Sequence, residues 1–163
     1  YQKALARQNR EANEQIAKLR ELADEHRAAE ALELRLRLRN ADVDYRRTVE
    51  DLRPLLERAR ASRAAVLAAD GTLNSGAWQS FLRQLKEDQK AVEVMLLSLP
   101  PEASDYHGAS NEDLEMKLVT LHDNQGRAET MREGYRAMLA WDDKEREQIR
   151  ADQRSRTHGL LGH

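Results

Sequence analysis

Five histidines, His26, His107, His122, His158 and His163, are the side chains of this sequence best suited to hold a metal or move a proton. No two of them stand three or four apart, where one helix face could offer both to the same ion, and no HExxH occurs. Carboxylates are plentiful, but the Glu-x-x-His pairs that build di-iron sites inside helical bundles are missing. There is no Gly-rich phosphate loop and no Ser or Cys in a nucleophile context. Asp142-Asp143 reads as a solvated acidic pair. Arg35, Arg37 and Arg39 could touch anionic lipid or phosphate, but Glu30 and Glu33 lie within helical reach and favour a salt-bridged, solvated face. These residues point to no catalytic, metal or cofactor site, and a non-enzymatic chain is the expectation.

The elements behind them are easier to read. Before Gly71, one proline, Pro54, interrupts some seventy residues rich in Leu, Ala, Arg and Glu, which as a single helical rod would run roughly 100 Å. Candidate breaks fall near 40, where Asn40-Ala41-Asp42 could cap a new helix, and near 54. Gly71 suits the left-handed residue that closes a helix. Thr72, Asn74 and Ser75 offer caps for a second helix over about 76–99, stopped by Pro100-Pro101. Ser110 followed by Asp113 resembles a capping box for a third, over about 111–155, with Gly159 and Gly162 in a frayed tail.

Composition agrees with narrow apolar stripes on long helices. Charged residues make up 34% and aromatics 4% of the 163, which suits a broad globular core poorly. The net charge of -2 argues against a nucleic-acid surface, which needs an uncompensated basic field. Without cysteine there is no disulfide framework, and no apolar run of about eighteen residues could span a membrane. The chain opens in mid-pattern at Tyr1, as a piece of a longer protein would.

The second helix carries Trp78, Phe81, Leu82, Leu85, Val92, Met95, Leu96 and Leu99 on one stripe, broken at Asp88 and Gln89. The third carries Leu114, Leu118, Leu121, Ala128, Met131, Tyr135, Met138 and Leu139, broken at Asn124 and Gln125. A tight hairpin about Pro100-Pro101 would set Leu96 by Leu114 and Leu82 by Ala128. The two gaps then coincide, and Asp88, Gln89, His122, Asn124 and Gln125 form a register-setting polar layer. The alternative is that both gaps face water at a splayed point. In the first helix Leu5, Ala12, Ile16, Leu19, Leu22 and His26 form a seam-like stripe. Leu32, Leu34, Leu36 and Leu38 alternate with charges; as helix, such a stretch is contacted from two sides. Val43, Val49, Leu52, Leu56, Ala59, Val66 and Leu67 would face the hairpin.

Folding back at Gly71 puts Trp78 near Leu67 and Leu99 near Arg46, with the third helix parallel to the first and Arg132 near Leu67. The expected fold is all-α: an elongated, antiparallel, three-helix coiled-coil-like bundle in a single domain or fragment. Residues before about Tyr45 and after about Tyr135 overhang it. Leu5, Ile16, Leu19 and Leu22 at one end, and Tyr135, Leu139, Trp141 and Ile149 at the other, then need a protein partner. That partner is a second copy, the remainder of a parent chain or another helical protein.

Leu5-Ala6-Arg7-Gln8-Asn9-Arg10-Glu11, followed by Leu19, Leu22 and acidic residues to Glu33, resembles a stretch in the V-shaped coiled-coil domain of Bro1/ALIX-type endosomal-sorting adaptors. Met95-Leu96-Leu97 leading to Pro100-Pro101 and Ala103-Ser104 is similar to that family's helix end before its apolar-Pro-Ser loop. Leu118, Leu121 and Arg127 through Asp142-Asp143 resemble the helix that follows. The resemblance implies part of an adaptor's V domain, cytoplasmic and recruited to endosomal membranes by partners. The family's Trp-x-Arg…Pro-Ser element is absent, with Leu34 to Asp44 in its place. Its tyrosine-motif pocket lies on later helices and its ubiquitin-contacting helix would precede Tyr1, so no residue here inherits either role. A spectrin-repeat-like or other coiled-coil cytoskeletal or tethering scaffold is the alternative, although no internal repeat occurs.

Overall fold

A computed structural model describes residues 1–101 and 106–161. Ala103-Ser104, Gly162 and His163 lie outside the described residues. Three helices pack in an all-α arrangement, α1 (Gln2–Ala69), α2 (Gly76–Leu97) and α3 (Asn111–Leu161), with no strand among the described residues. The chain divides into two compact units. One comprises Tyr1–Asp42 with Glu102–Leu121, the other Val43–Pro101 with His122–His163.

α1 runs through both candidate breaks, Asn40 and Pro54, without interruption. Pro54 is exposed, so its ring meets solvent, and the bond its missing N–H would have made is lost on the outer side. The helix ends where glycine permits. Gly71 has φ +76°, its amide donates to Ala68 O at 3.2 Å, and Thr72 N donates to Leu67 O at 2.8 Å, the paired bonds of a Schellman turn. Ser75 is the N-cap residue of α2, through its extended backbone rather than a side-chain bond. Ser110 caps α3 as expected, its hydroxyl accepting from Asp113 N at 3.2 Å. α3 continues through Gly159 instead of fraying there.

The core is laid down at intervals of seven. On α1 Leu38, Tyr45, Leu52, Ala59 and Val66 are all buried, flanked by Thr48, Leu55 and Ser62 at the same interval, with Leu34 fourteen residues before Thr48. On α3 the buried line is Leu114, Leu121, Ala128, Tyr135 and Asp142; on α2 it is Leu85 and Val92. A strict seven-residue spacing on a 3.6-residue helix is the pattern of coiled-coil packing. In the first unit the buried residues are Leu34, Leu38 and Asp42 on α1 with Leu114, Leu118 and Leu121 on α3. Burial on α1 therefore begins at Leu34, not Tyr45. The leucine alternation is helical, as read, but one-sided: Leu34 and Leu38 are buried while Leu32 and Leu36 stay exposed. Val43, expected to face the hairpin, is exposed as well.

In the second unit α2 runs antiparallel to α1 in the expected register. Arg53 pairs with Glu93, Gln89 Nε2 donates to Glu57 at 3.4 Å, and Arg46 donates to the Pro100 carbonyl. α3 lies parallel to α1, but about four turns from the expected register. Arg132 reaches Thr48 at 3.4 Å rather than Leu67, and Asp142 accepts from the Ser62 hydroxyl at 3.1 Å. The connection from Ser98 to Ser110 explains the difference, since thirteen residues can span about 40 Å and impose no tight turn.

Because Pro54 sits exposed inside an unbroken helix, Pro54→Ala should raise unfolding free energy by on the order of 1–3 kcal/mol in urea titration. An unchanged midpoint would mean that the surrounding turn already compensates for the missing bond.

Candidate functional site

Residues 2–29 of α1 form one continuous helix in which every residue is exposed. Such a segment shows its apolar stripe to solvent. Leu5 and Ile16 are about half exposed, Leu19 is 66% exposed and Leu22 61%. Completing the burial of each would contribute on the order of 1–2 kcal/mol. These four expected partner-facing residues are thus on one open face of the first unit.

The other expected partner face does not exist as drawn. Tyr135 is 6% exposed, part of the core of the second unit, and Leu139 and Ile149 are half-buried. Trp141 remains 53% exposed, yet its ring lies 5.7 Å from the Arg63 guanidinium. The expectation failed because it placed the end of the bundle near Tyr135, whereas the buried line of α3 continues at least to Asp142.

The polar layer is also not assembled. Asp88 accepts from the Tyr135 hydroxyl and, at 3.1 Å, from Gln84. Gln89 reaches Glu57, Gln125 donates to Thr48 at 3.1 Å and to Glu129 at 2.8 Å, His122 is exposed and Asn124 half-buried. The displaced register of α3 separates these groups, and Asp88, Gln89 and Gln125 bond to other neighbours instead.

What occupies the polar positions is a different set. Asp142 is fully buried, 3.0 Å from Arg63 and hydrogen-bonded to Ser62, so the reading of Asp142-Asp143 as a solvated pair is corrected for its first member. The Arg63 guanidinium also sits 5.8 Å from the Phe81 ring centroid, so α1, α2 and α3 meet at one cation. The signal was in the sequence: Asp142 stands seven after Tyr135 and fourteen after Ala128, at a core position. Asp143, by contrast, is exposed and pairs with Arg146.

An open groove of about 760 Å³ runs along α2 and α3 of the second unit, lined by Asp88, Gly126, Thr130, Met131, Gly134 and Met138 among others. A Cβ added at Gly126 or Gly134 would meet nothing within 4 Å, so no contact inside the chain requires either glycine. Burial, then the Asp88 hydrogen bond and charge, push the Tyr135 phenol beside this groove well above its ordinary value. Burial likewise raises Tyr45, with the Ser98 hydroxyl pulling the other way.

Among the described residues no group of three or more His, Cys, Asp or Glu side chains converges as metal ligands. No helix there is long and apolar enough to cross a membrane. No protein-family model, curated protein or solved structure matches the chain.

Two measurements check the polar contacts. Asp142→Ala should cost about 3–5 kcal/mol in chemical denaturation, since it strands Arg63, and replacing both by Leu should recover most of that. The Tyr135 phenol ionises near pH ~10 when unfolded. It holds its proton to higher pH when folded, so the folded state binds more protons above that point and stability falls as pH rises through it. Tyr135→Phe should cost about 1 kcal/mol at neutral pH and make the alkaline decline shallower.

Proposed function

We propose that this chain is a non-enzymatic protein–protein interaction scaffold, part of the V domain of a Bro1/ALIX-type endosomal-sorting adaptor. It acts in the cytoplasm and at the periphery of endosomal membranes. The observation that carries the reading is the first unit's open stripe. A helix that keeps Leu5, Ile16, Leu19 and Leu22 in water along about five turns forgoes burial that a partner helix would supply. The near-neutral charge supports a protein partner over nucleic acid. Leu5, at the head of the segment that resembles the adaptors, lies on this same stripe.

The test is the distribution of a fluorescently tagged chain in cells. The adaptor reading expects enrichment on endosomal membranes, lost in the Ile16→Glu/Leu19→Glu double variant, whose changes fall on exposed positions and leave the packed core untouched. Decoration of cytoskeletal filaments would favour the spectrin-like alternative. An even distribution, the same for both proteins, would remove the adaptor reading.

A further inference from the structure

The open stripe has an internal order that selects its occupant. Set in heptads, one line is Asn9, Ile16 and Ala23 and the other Leu5, Ala12, Leu19 and His26. A β-branched residue on the first line and leucines on the second favour two parallel strands, and one Asn on the first line is a known means of setting register. Resting on the scaffold reading above, we propose that two copies of this chain pair in parallel through this seam, in register at Asn9.

The pairing is chemically self-consistent. The Asn9 side chain makes no hydrogen bond within the described residues, and its amide carries both donors and an acceptor, so it can bond to its own counterpart across a two-fold axis. The same arrangement stacks Ile16 on Ile16 and Leu19 on Leu19, which covers the residues left in water. The shoulders agree. In parallel register Gln8 faces Asn13, Gln15 faces Arg20 and Leu22 faces Arg27, so no like charges oppose each other. Residues 2–30 hold six basic and six acidic side chains, so two copies approach without net repulsion. An antiparallel pair would set Asn9 against His26 and Ala12 against Ala23, which gives it a distinct signature.

The chain has no cysteine, so any introduced thiol is unique. With the full chain, sedimentation should show a concentration-dependent dimer, and Leu19→Glu should weaken it at least about tenfold with helicity by circular dichroism unchanged. Ala12→Cys should oxidise to a disulfide with its own copy, because the inner seam brings the two positions within bonding range. Asn9→Val should tighten association and admit higher oligomers. A monomer at concentrations up to about 100 μM would overturn the proposal. So would an Ala12→Cys protein that links only to an Ala23→Cys one. A monomer that still reaches endosomal membranes would remove the pairing and leave the scaffold reading, whereas a dimer spread evenly through the cell would do the reverse.

Discussion

The packing of this protein depends on one repeated spacing, seven residues, held along α1 from Leu38 to Val66 and along α3 from Leu114 to Asp142. A seven-residue line keeps the same side of a helix facing its neighbour only when the helices wrap one another, so each core residue is committed to one partner face. Everything else sits outside those lines. The charges that make up a third of the chain lie mostly on the outer faces, where pairs such as Arg37 with Glu33 contribute little. Narrow lines bury little surface per residue, so each core position carries much of the stability.

That economy explains the polar groups placed on the lines. Thr48, Ser62 and Asp142 interrupt an otherwise apolar core in the second unit, and each is bonded to a neighbouring helix. Thr48 donates to Asp44 O and accepts from Gln125, while Ser62 and Arg63 together hold Asp142. Such contacts are directional where apolar stripes are not. A leucine stripe tolerates a shift of one heptad with modest loss, but a buried aspartate moved by one turn loses both partners and is left charged and unpaired. We read these pairs as what selects one register of α3 among several that apolar packing would accept.

The helix ends at the two connections were legible because they depend on single residues, the left-handed Gly71, the Pro100-Pro101 stop and the Ser110 cap, whereas the end of α3, expected near 155, lies at Leu161. The α1–α2 register was legible too, since the few residues around Gly71 leave no freedom; Leu99 was expected beside Arg46, and the neighbouring Pro100 is found there. The α3 register was not. A longer connection leaves it to side-chain pairing, and matching the two polar gaps, attractive on the sequence, chose wrongly. Tyr135 and Asp142 were misplaced as a consequence, one as an overhanging anchor and the other as a solvated acid. Leu5, Ile16, Leu19 and Leu22 were expected to lie exposed and do so, but the overhang was drawn to Tyr45 from the placement of the later helices, and burial already begins at Leu34.

In this account residues 2–29 of α1 are a helix waiting for a cover, and residues 38–66 are already covered. Amide hydrogen exchange resolved along α1 tests that most directly. The account predicts fast exchange over 2–29 and slow exchange over 38–66 in dilute protein, with the first stretch slowing when a partner seats on it. Equal and strong protection of both stretches at high dilution, with nothing added, would show that the stripe is covered within its own chain and would contradict it.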